Sequence, residues 1–448
     1  MTIGSAGRND SGKRAEAMQV FIVTHSSTYD SRAEAAGGWF CDQGDTVAYL
    51  FSDFDHLKRA KRPLSAAAKT DGRTEKYYLP MHPYQKNLSL GRISSIRKFA
   101  RDVERWLDHR LSGLQGEKGT DWTEKNVLLW FLIPANSFAE AASRLKKKYG
   151  VRIVLDIIDL WPESIPRPEL QRLPPMKMWA AIRDRHLSCA DLVFTECSLY
   201  QTLLRLPEER TCVLPWFKEE KEGEGENNTS RQGITVPAEV ESRQVLSIVY
   251  LGAVNNIIDI SLITDFLCLV RRRLQEEQKD LLLHIIGEGE HKQDFLTALQ
   301  DSQIPLEDHG AVYDEKTKAQ ILAPCRFGLN FMKPAVRVGL TMKSIDYLSF
   351  GIPILNNIPD DSWRLVEQEK IGINVDRVHP ETAAEEAVRL FLHPEEWEAM
   401  RRRARHSYEE KFTRKAFRKI LAAGFFRSQV SESQTRVKSP EEDNRQEG

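Results

Sequence analysis

The sequence predicts an α/β protein built from two parallel-sheet domains. Three observations carry that prediction. Short apolar strands alternate with helical patterns from about residue 18 to residue 427. A polar stretch at 218–233 has no apolar face and interrupts the alternation. The pattern then starts afresh at Leu246, giving two halves of similar size. Two such units predict Rossmann-like domains facing a central cleft, with ligands at the carboxyl ends of the strands.

In the first half, apolar runs at 18–24, 46–51, 127–133, 152–158, 192–196 and 211–215 read as strands. Helical spacing covers 92–109 and 138–148. In the second half, strands fall at 246–251, followed by Gly252, and at 281–286, ending in Gly287-Glu288-Gly289. A third apolar run, 326–332, leads into a loop that carries Pro334 and Gly339. Met342, Ile345 and Leu348 then recur at helical spacing, and Gly351-Ile352-Pro353 ends that helix before another strand. The helical segment 394–426 has no strand after it, so it is expected to pack across the outside of the domains. The resulting division is a disordered leader at 1–17, a first Rossmann-like domain at 18–217 and a linker or exposed insertion at 218–244. A second Rossmann-like domain with closing helices follows at 245–427, then a disordered tail at 428–448.

A chain of 448 residues with 41% hydrophobic content can bury two cores. Its net charge of −1 argues against a dedicated nucleic-acid binder. The six cysteines (41, 189, 197, 212, 268 and 325) include no CxxC pair and read as reduced thiols. No secretory h-region precedes the first strand, and no apolar run is long enough to span a membrane. A cytoplasmic location, including the inner face of the cell membrane, is therefore expected. Between residues 55 and 110, fourteen Lys/Arg stand against six Asp/Glu, with aromatic residues interleaved. Such a basic region suits peripheral contact with anionic lipid headgroups, or is a solvated face.

The richest chemistry lies at 337–355. Lys343, Asp346 and Tyr347 occupy i, i+3 and i+4 of one helix. The start of that helix offers N–H groups and a positive dipole end to a phosphate, through Gly339 and Thr341 among others. A carboxylate one turn in can accept from ribose hydroxyls. These features outline a nucleotide-diphosphate site.

The chain resembles the GT-B glycosyltransferases of the large retaining family 4, in particular bacterial enzymes of surface-polysaccharide assembly. Tyr250-Leu251-Gly252 is similar to the opening strand of that family's second domain. Ile285-Ile286-Gly287-Glu288-Gly289 is similar to its Gly-x-Gly strand end, and residues 342–355 to its donor motif. Asp156-Ile157-Ile158-Asp159-Leu160-Trp161-Pro162-Glu163-Ser164 resembles a D-x-x-D-x-W-P-E-S stretch of polysaccharide-assembly members. The resemblance implies a GT-B fold and transfer of a sugar from a nucleotide-diphosphate sugar to a glycan or polyprenyl-linked acceptor. It implies retention at the anomeric carbon, and no metal or other cofactor. It departs from the family twice. The first glutamate of the family's E-x7-E motif falls on Val338, with Asp346 at the second. No Arg or Lys follows Gly252 closely, and Arg337 and Lys343 are the available cations.

On this basis Asp159, Asp156, Arg337 and Lys343 are candidate catalytic residues. Gly252, Asn255, Gly287, Gly289, Gly339, Thr341, Lys343 and Asp346 are candidate donor ligands. His25, Arg32, Asp53 and Glu163, at or near strand ends of the first half, are candidate acceptor ligands. No HxxxH-type spacing occurs, so no metal site is expected. A nucleotide-sugar epimerase of the same fold and a non-catalytic scaffold of a polysaccharide-assembly complex remain alternatives. A dehydrogenase is disfavoured because Thr24-His25-Ser26-Ser27-Thr28, not GxGxxG, follows the first strand.

Overall fold

The structure is a computed structural model, and it describes residues 17–56, 58–62, 72–85, 89–116, 126–165, 167–218 and 244–437, with side chains to residue 427. The leader, nearly all of the linker, the end of the tail, and Lys69 and Lys86 of the basic region lie outside the described residues.

The first domain holds β1 (Gln19–Thr24), α1 (Asp30–Asp42), β2 (Thr46–Ser52), a short hairpin of β3 (Phe54–Asp55) and β4 (Ala60–Lys61), and β5 (Thr74–Leu79). Then come α2 (Leu90–Gly116), β6 (Val127–Ile133), α3 (Ser137–Tyr149), β7 (Arg152–Ile157), α4 (Pro168–Gln171) and α5 (Pro174–Asp184). The domain's sheet ends with β8 (Leu192–Thr195), α6 (Ser198–Leu204) and β9 (Thr211–Val213). Its seven strands run in the order β5-β2-β1-β6-β7-β8-β9, and every pairing in it is parallel.

The second domain holds β10 (Val245–Leu251), α7 (Ile260–Glu276), β11 (Asp280–Ile286), α8 (Lys292–Asp301), β12 (Leu306–Asp308), α9 (Glu315–Leu322) and β13 (Cys325–Asn330). It continues with α10 (Met342–Ser349), β14 (Ile354–Asn356), α11 (Asp361–Glu369), β15 (Gly372–Asn374), α12 (Pro380–Leu392) and α13 (Pro394–Lys411). Its six parallel strands run β12-β11-β10-β13-β14-β15.

Both sheets are covered on two faces, so their central strands are apolar throughout: all seven residues of β6 are buried. In each sheet the order reverses beside the first strand, which places a crevice at the carboxyl ends of the strands. The last helix, α14 (Arg414–Val437), crosses back to the first domain. Phe417, Leu421 and Phe425 join the core formed by Phe40, Trp130 and Phe194, and Phe425 stacks on Trp39 at 5.5 Å. The closing helix, grouped by sequence with the second half, is therefore packed into the first domain, and it runs past residue 427.

Candidate active site

The second domain offers its strand ends first. Gly252 follows β10, and Gly287 and Gly289 follow β11. A Cβ on Gly287 would lie 2.0 Å from the Gly252 carbonyl oxygen, and one on Gly289 would lie 2.2 Å from that of Val254. Both have positive φ, +150° and +158°. Gly252 N–H donates to Ile286 O (2.9 Å), and Val254 N–H donates to Glu288 O (3.0 Å). Only glycine permits that approach of two backbones. The two glycines therefore lock one turn against another and set the floor beside Gly252. Asn255 folds back locally, its Oδ1 accepting from Ile257 N–H at 3.2 Å.

Helix α10 supplies the chemistry over that floor. Thr341 is its N-cap: the hydroxyl accepts from Ser344 N–H (3.2 Å) and donates to Asn330 Oδ1 (2.8 Å). Its role in the structure is to fix the helix start. Tyr347 shares a helix face with Lys343 by spacing but is spent on the fold. Its buried hydroxyl accepts from Leu251 N–H (2.8 Å), and its ring leaves no room for a side chain at Gly328. Lys343 is left over Gly252, its Cε 3.8 Å from where a Cβ would stand there. Its ammonium lies 4.5 Å above the Tyr250 ring and 3.4 Å from that hydroxyl. Among the described residues no carboxylate pairs with Lys343, and desolvation pulls its pKa down to about 7.

Asp346 does not pair with Lys343. Its Oδ1 takes Lys218 Nζ at 2.9 Å, and Lys218 also reaches Glu315 at 3.3 Å. Lys218 is the last described residue before the linker and is anchored by its own N–H to Phe412 O. Asp346 thus sits where the two domains join. Arg337 is exposed and reaches no described partner. Gly339 is packed at the domain boundary: a Cβ there would fall 2.5 Å from Cys197 Sγ, and its carbonyl accepts from the Ser362 hydroxyl at 2.6 Å.

In the first domain the structure separates the expected residues into two groups. Arg32 and Asp156 are fully buried and bonded to each other, through Nε–Oδ2 and Nη2–Oδ1 contacts of 2.8 Å. Arg32 also donates to Leu214 O and Pro215 O. Neither side chain is open to an acceptor, which corrects their assignment as catalytic and acceptor residues: Asp156 points into the sheet layer beside α1, not into the crevice. Asp53 accepts from Met81 N–H (2.8 Å) and pairs with Lys61. Glu163 holds the buried Arg183 guanidinium at 2.6 Å. Both serve loop structure.

His25 and Asp159 follow the carboxyl ends of β1 and β7, and both lie near Tyr29, whose ring is 5.9 Å from that of His25. His25 is buried, its Nδ1 finds no partner among the described residues, and burial with the nearby Arg92 charge lowers its pKa to about 3, so it is a neutral imidazole. Asp159 accepts from the Ser164 hydroxyl at 2.9 Å, and burial raises its pKa. Next to it stands Glu196, which the sequence reading placed only as the end of a strand. It is 8% exposed, and burial plus the Asp159 charge push its pKa to about 8. Tyr29, its hydroxyl also raised by burial and by Asp159, completes the set. The signal for Glu196 was available: it directly follows β8, the position already used to select Asp159. Tyr29 and Arg92 carried no such mark.

Two domains with carboxyl strand ends facing a crevice, and a closing helix returned to the first, define the architecture. The chain has the GT-B fold. Sucrose-phosphate synthase from Thermosynechococcus elongatus superposes with a TM-score of 0.61 at 12% identity, covering 93% of this chain and 100% of that one. Anabaena HepE in complex with UDP and glucose superposes at 0.56 with 11% identity, covering 94% and 100%. WaaG, a glycosyltransferase involved in lipopolysaccharide biosynthesis, superposes at 0.57 with 11% identity, covering 90% and 99%. Residues 268–421 match a family described as glycosyl transferase-like. No curated protein matches the sequence. The matched residues fall in the second domain and the helices that follow it, and they include Lys343 and the Gly-x-Gly turn.

Proposed function

We propose that the chain transfers a sugar from a nucleotide-diphosphate sugar to a glycan or lipid-linked glycan acceptor, as a retaining, family 4-type enzyme of polysaccharide synthesis. The observation that carries this reading is Lys343. A desolvated ammonium with no carboxylate partner among the described residues, at the start of α10 and over Gly252, suits an anionic ligand. A diphosphate there meets both the ammonium and the helix dipole, which stabilise the charge that grows on the leaving group. That provision needs no metal in the transfer step. HepE, whose complexes hold UDP and UDP-glucose, supports a nucleotide-sugar donor.

Asp346 is the candidate for the ribose, on release from Lys218. On the acceptor side, His25, Asp159 and Glu196 face the crevice, and the acceptor hydroxyl is to be placed among them. The long helix α2 buries Ile96, Phe99, Val103 and Leu107 in the first domain, so its apolar stripe is core. Its opposite side exposes Arg97, Lys98, Arg101 and Arg105, and that side is the candidate contact with anionic lipid on the cytoplasmic face of the membrane. No described helix is long and apolar enough to cross a membrane.

A thermal-shift series with UDP, GDP, TDP, CMP and their sugars tests the donor site. One nucleotide diphosphate should raise the melting temperature of the native chain and lose that effect with Lys343→Ala and Asp346→Ala. A folded chain that responds to none of them defeats the reading and favours a non-catalytic scaffold.

A further inference from the structure

The outer edge of the second sheet brings three metal-type ligands to one point. His284 lies on β11 and stands directly opposite Glu307 of β12 in the parallel register. Glu307 and His309 are two residues apart, so strand alternation puts both side chains on the same face. His309 stays in line because its N–H donates to Ile285 O at 2.9 Å. The donor atoms form a near-regular triangle. His284 Nδ1 is 3.1 Å from His309 Nε2 and 3.4 Å from Glu307 Oε2, and His309 Nε2 is 3.7 Å from Glu307 Oε2. Three ligands at a tetrahedral ion, each about 2.1 Å from it, stand about 3.4 Å apart. The observed separations straddle that value.

The geometry points to a divalent transition-metal site, best matched to Zn2+, formed by His284, Glu307 and His309 at the β11–β12 edge of the donor domain. Two imidazoles and one carboxylate are the ligand types that zinc takes, and three protein ligands leave a fourth position for water. His284 is 6% exposed, so the inner ligand is held in place by the packing around β11. The side chains of His309 and Glu307 are 22% and 55% exposed, so an ion has a path in from solvent. Other charges close by are already matched: Lys292 bridges Asp308 and Glu288 at 2.8 Å each.

The site does not touch the crevice chemistry, and its effect is positional. Gly310, next after His309, gives its carbonyl to Gly287 N–H at 2.7 Å. An ion on His309 therefore fixes the short outer strand and, through Gly310, the turn that floors the donor site. The sequence expectation of no metal rested on the absence of HxxxH-type spacing and on the family resemblance. Here the ligands converge from two neighbouring strands, which spacing in the chain does not reveal.

The test uses tag-free, chelator-stripped full-length protein titrated with Zn2+ by calorimetry and with Co2+ by visible absorption. The expected result is a single ion per chain, a tetrahedral cobalt spectrum, and a melting temperature raised by zinc. His309→Ala and Glu307→Gln, both at partly exposed positions, should each weaken zinc by about tenfold or more and abolish the cobalt spectrum. Absence of stoichiometric zinc binding overturns the site. So does binding that survives both substitutions unchanged, since the ligands would then lie elsewhere, the cysteines included.

Discussion

Asp361 of the second domain caps a helix of the first at Ser198. Its Oδ1 accepts from Ser198 N–H at 2.9 Å and from the Ser198 hydroxyl at 2.6 Å, and its Oδ2 accepts from Leu199 N–H at 2.8 Å. Helix α6 has Cys197 at its N-cap position with no side-chain cap of its own. The open N–H groups of one domain are thus satisfied by a carboxylate from the other. This contact begins two residues beyond Glu196 and lies against Gly339, so it holds the two edges of the crevice together.

Asp361→Ala should cost about 1–2 kcal/mol, the usual value of a lost cap. The more telling readout is Cys197, which is 2% exposed between the domains. Its alkylation, followed by peptide mass spectrometry, should accelerate in Asp361→Ala, while Cys325, 3% exposed inside the second domain, stays unchanged. Equal protection of Cys197 in wild type and variant would show that the cap does not hold the two edges.

Lys343→Met keeps the aliphatic stem and removes the charge. The variant should fold, because a desolvated ammonium is lost and not a paired one. Nucleoside-diphosphate affinity should fall about tenfold to a hundredfold, the scale of a charged hydrogen bond. The pH dependence gives a second check. The free ammonium titrates near 7, and anion binding favours its protonated form. Wild-type affinity should therefore weaken by up to about tenfold per pH unit above about pH 7, and calorimetry should show no such slope in the variant. Identical affinity of the two proteins would remove Lys343 from the site.

The Arg32–Asp156 pair separates a structural role from a catalytic one. Both side chains are 0% exposed. Removing one partner of a buried pair leaves an uncompensated charge, so Asp156→Ala should lose about 3–5 kcal/mol in urea denaturation. Arg32→Met combined with Asp156→Leu should recover much of that loss, since an apolar pair of similar volume suits the layer. A stable Asp156→Ala protein with no activity would instead restore Asp156 to the crevice.

The strands that sequence reveals most readily are those buried on both faces. β1, β6 and β10 are almost uniformly apolar and were legible to within a residue or so. Thr74–Leu79 was not, because it is an edge strand whose six residues are all partly or fully exposed. Leu306–Asp308 and Gly372–Asn374 are three residues long and too short to show a period. The position of Lys343 was legible, because the Pro334–Gly339 loop and the spacing of Met342, Ile345 and Leu348 mark where that helix starts. Arg32 and Asp156 were misplaced for the converse reason. A polar residue beside a strand end can face either the crevice or the layer beneath, and the partner that decides it lies 124 residues away. Glu163 and Asp53 were likewise claimed by loop contacts that only the folded chain creates.

Glu196 gives the sharpest pH prediction. Its folded pKa of about 8 lies above its ordinary value of 4.5, because burial and the Asp159 charge both oppose ionisation, while the Arg32 charge and a Trp216 hydrogen bond offset them in part. The folded chain therefore binds more protons at this group than the unfolded chain between those two values. Stability from this group should be fully present below about pH 4.5 and should decline as pH rises toward about 8. Glu196→Gln is fixed in the neutral, hydrogen-bonding form, so urea midpoints across that window should fall in the wild type and stay flatter in the variant. Activity is expected to follow the same group. If the protonated carboxyl positions the acceptor, the wild-type rate falls as pH passes about 8 and Glu196→Gln lacks that limb. A variant that keeps both the stability slope and the rate limb would move the titration to Asp159, the other raised carboxyl in the crevice, and Asp159→Asn would then be the protein that flattens them.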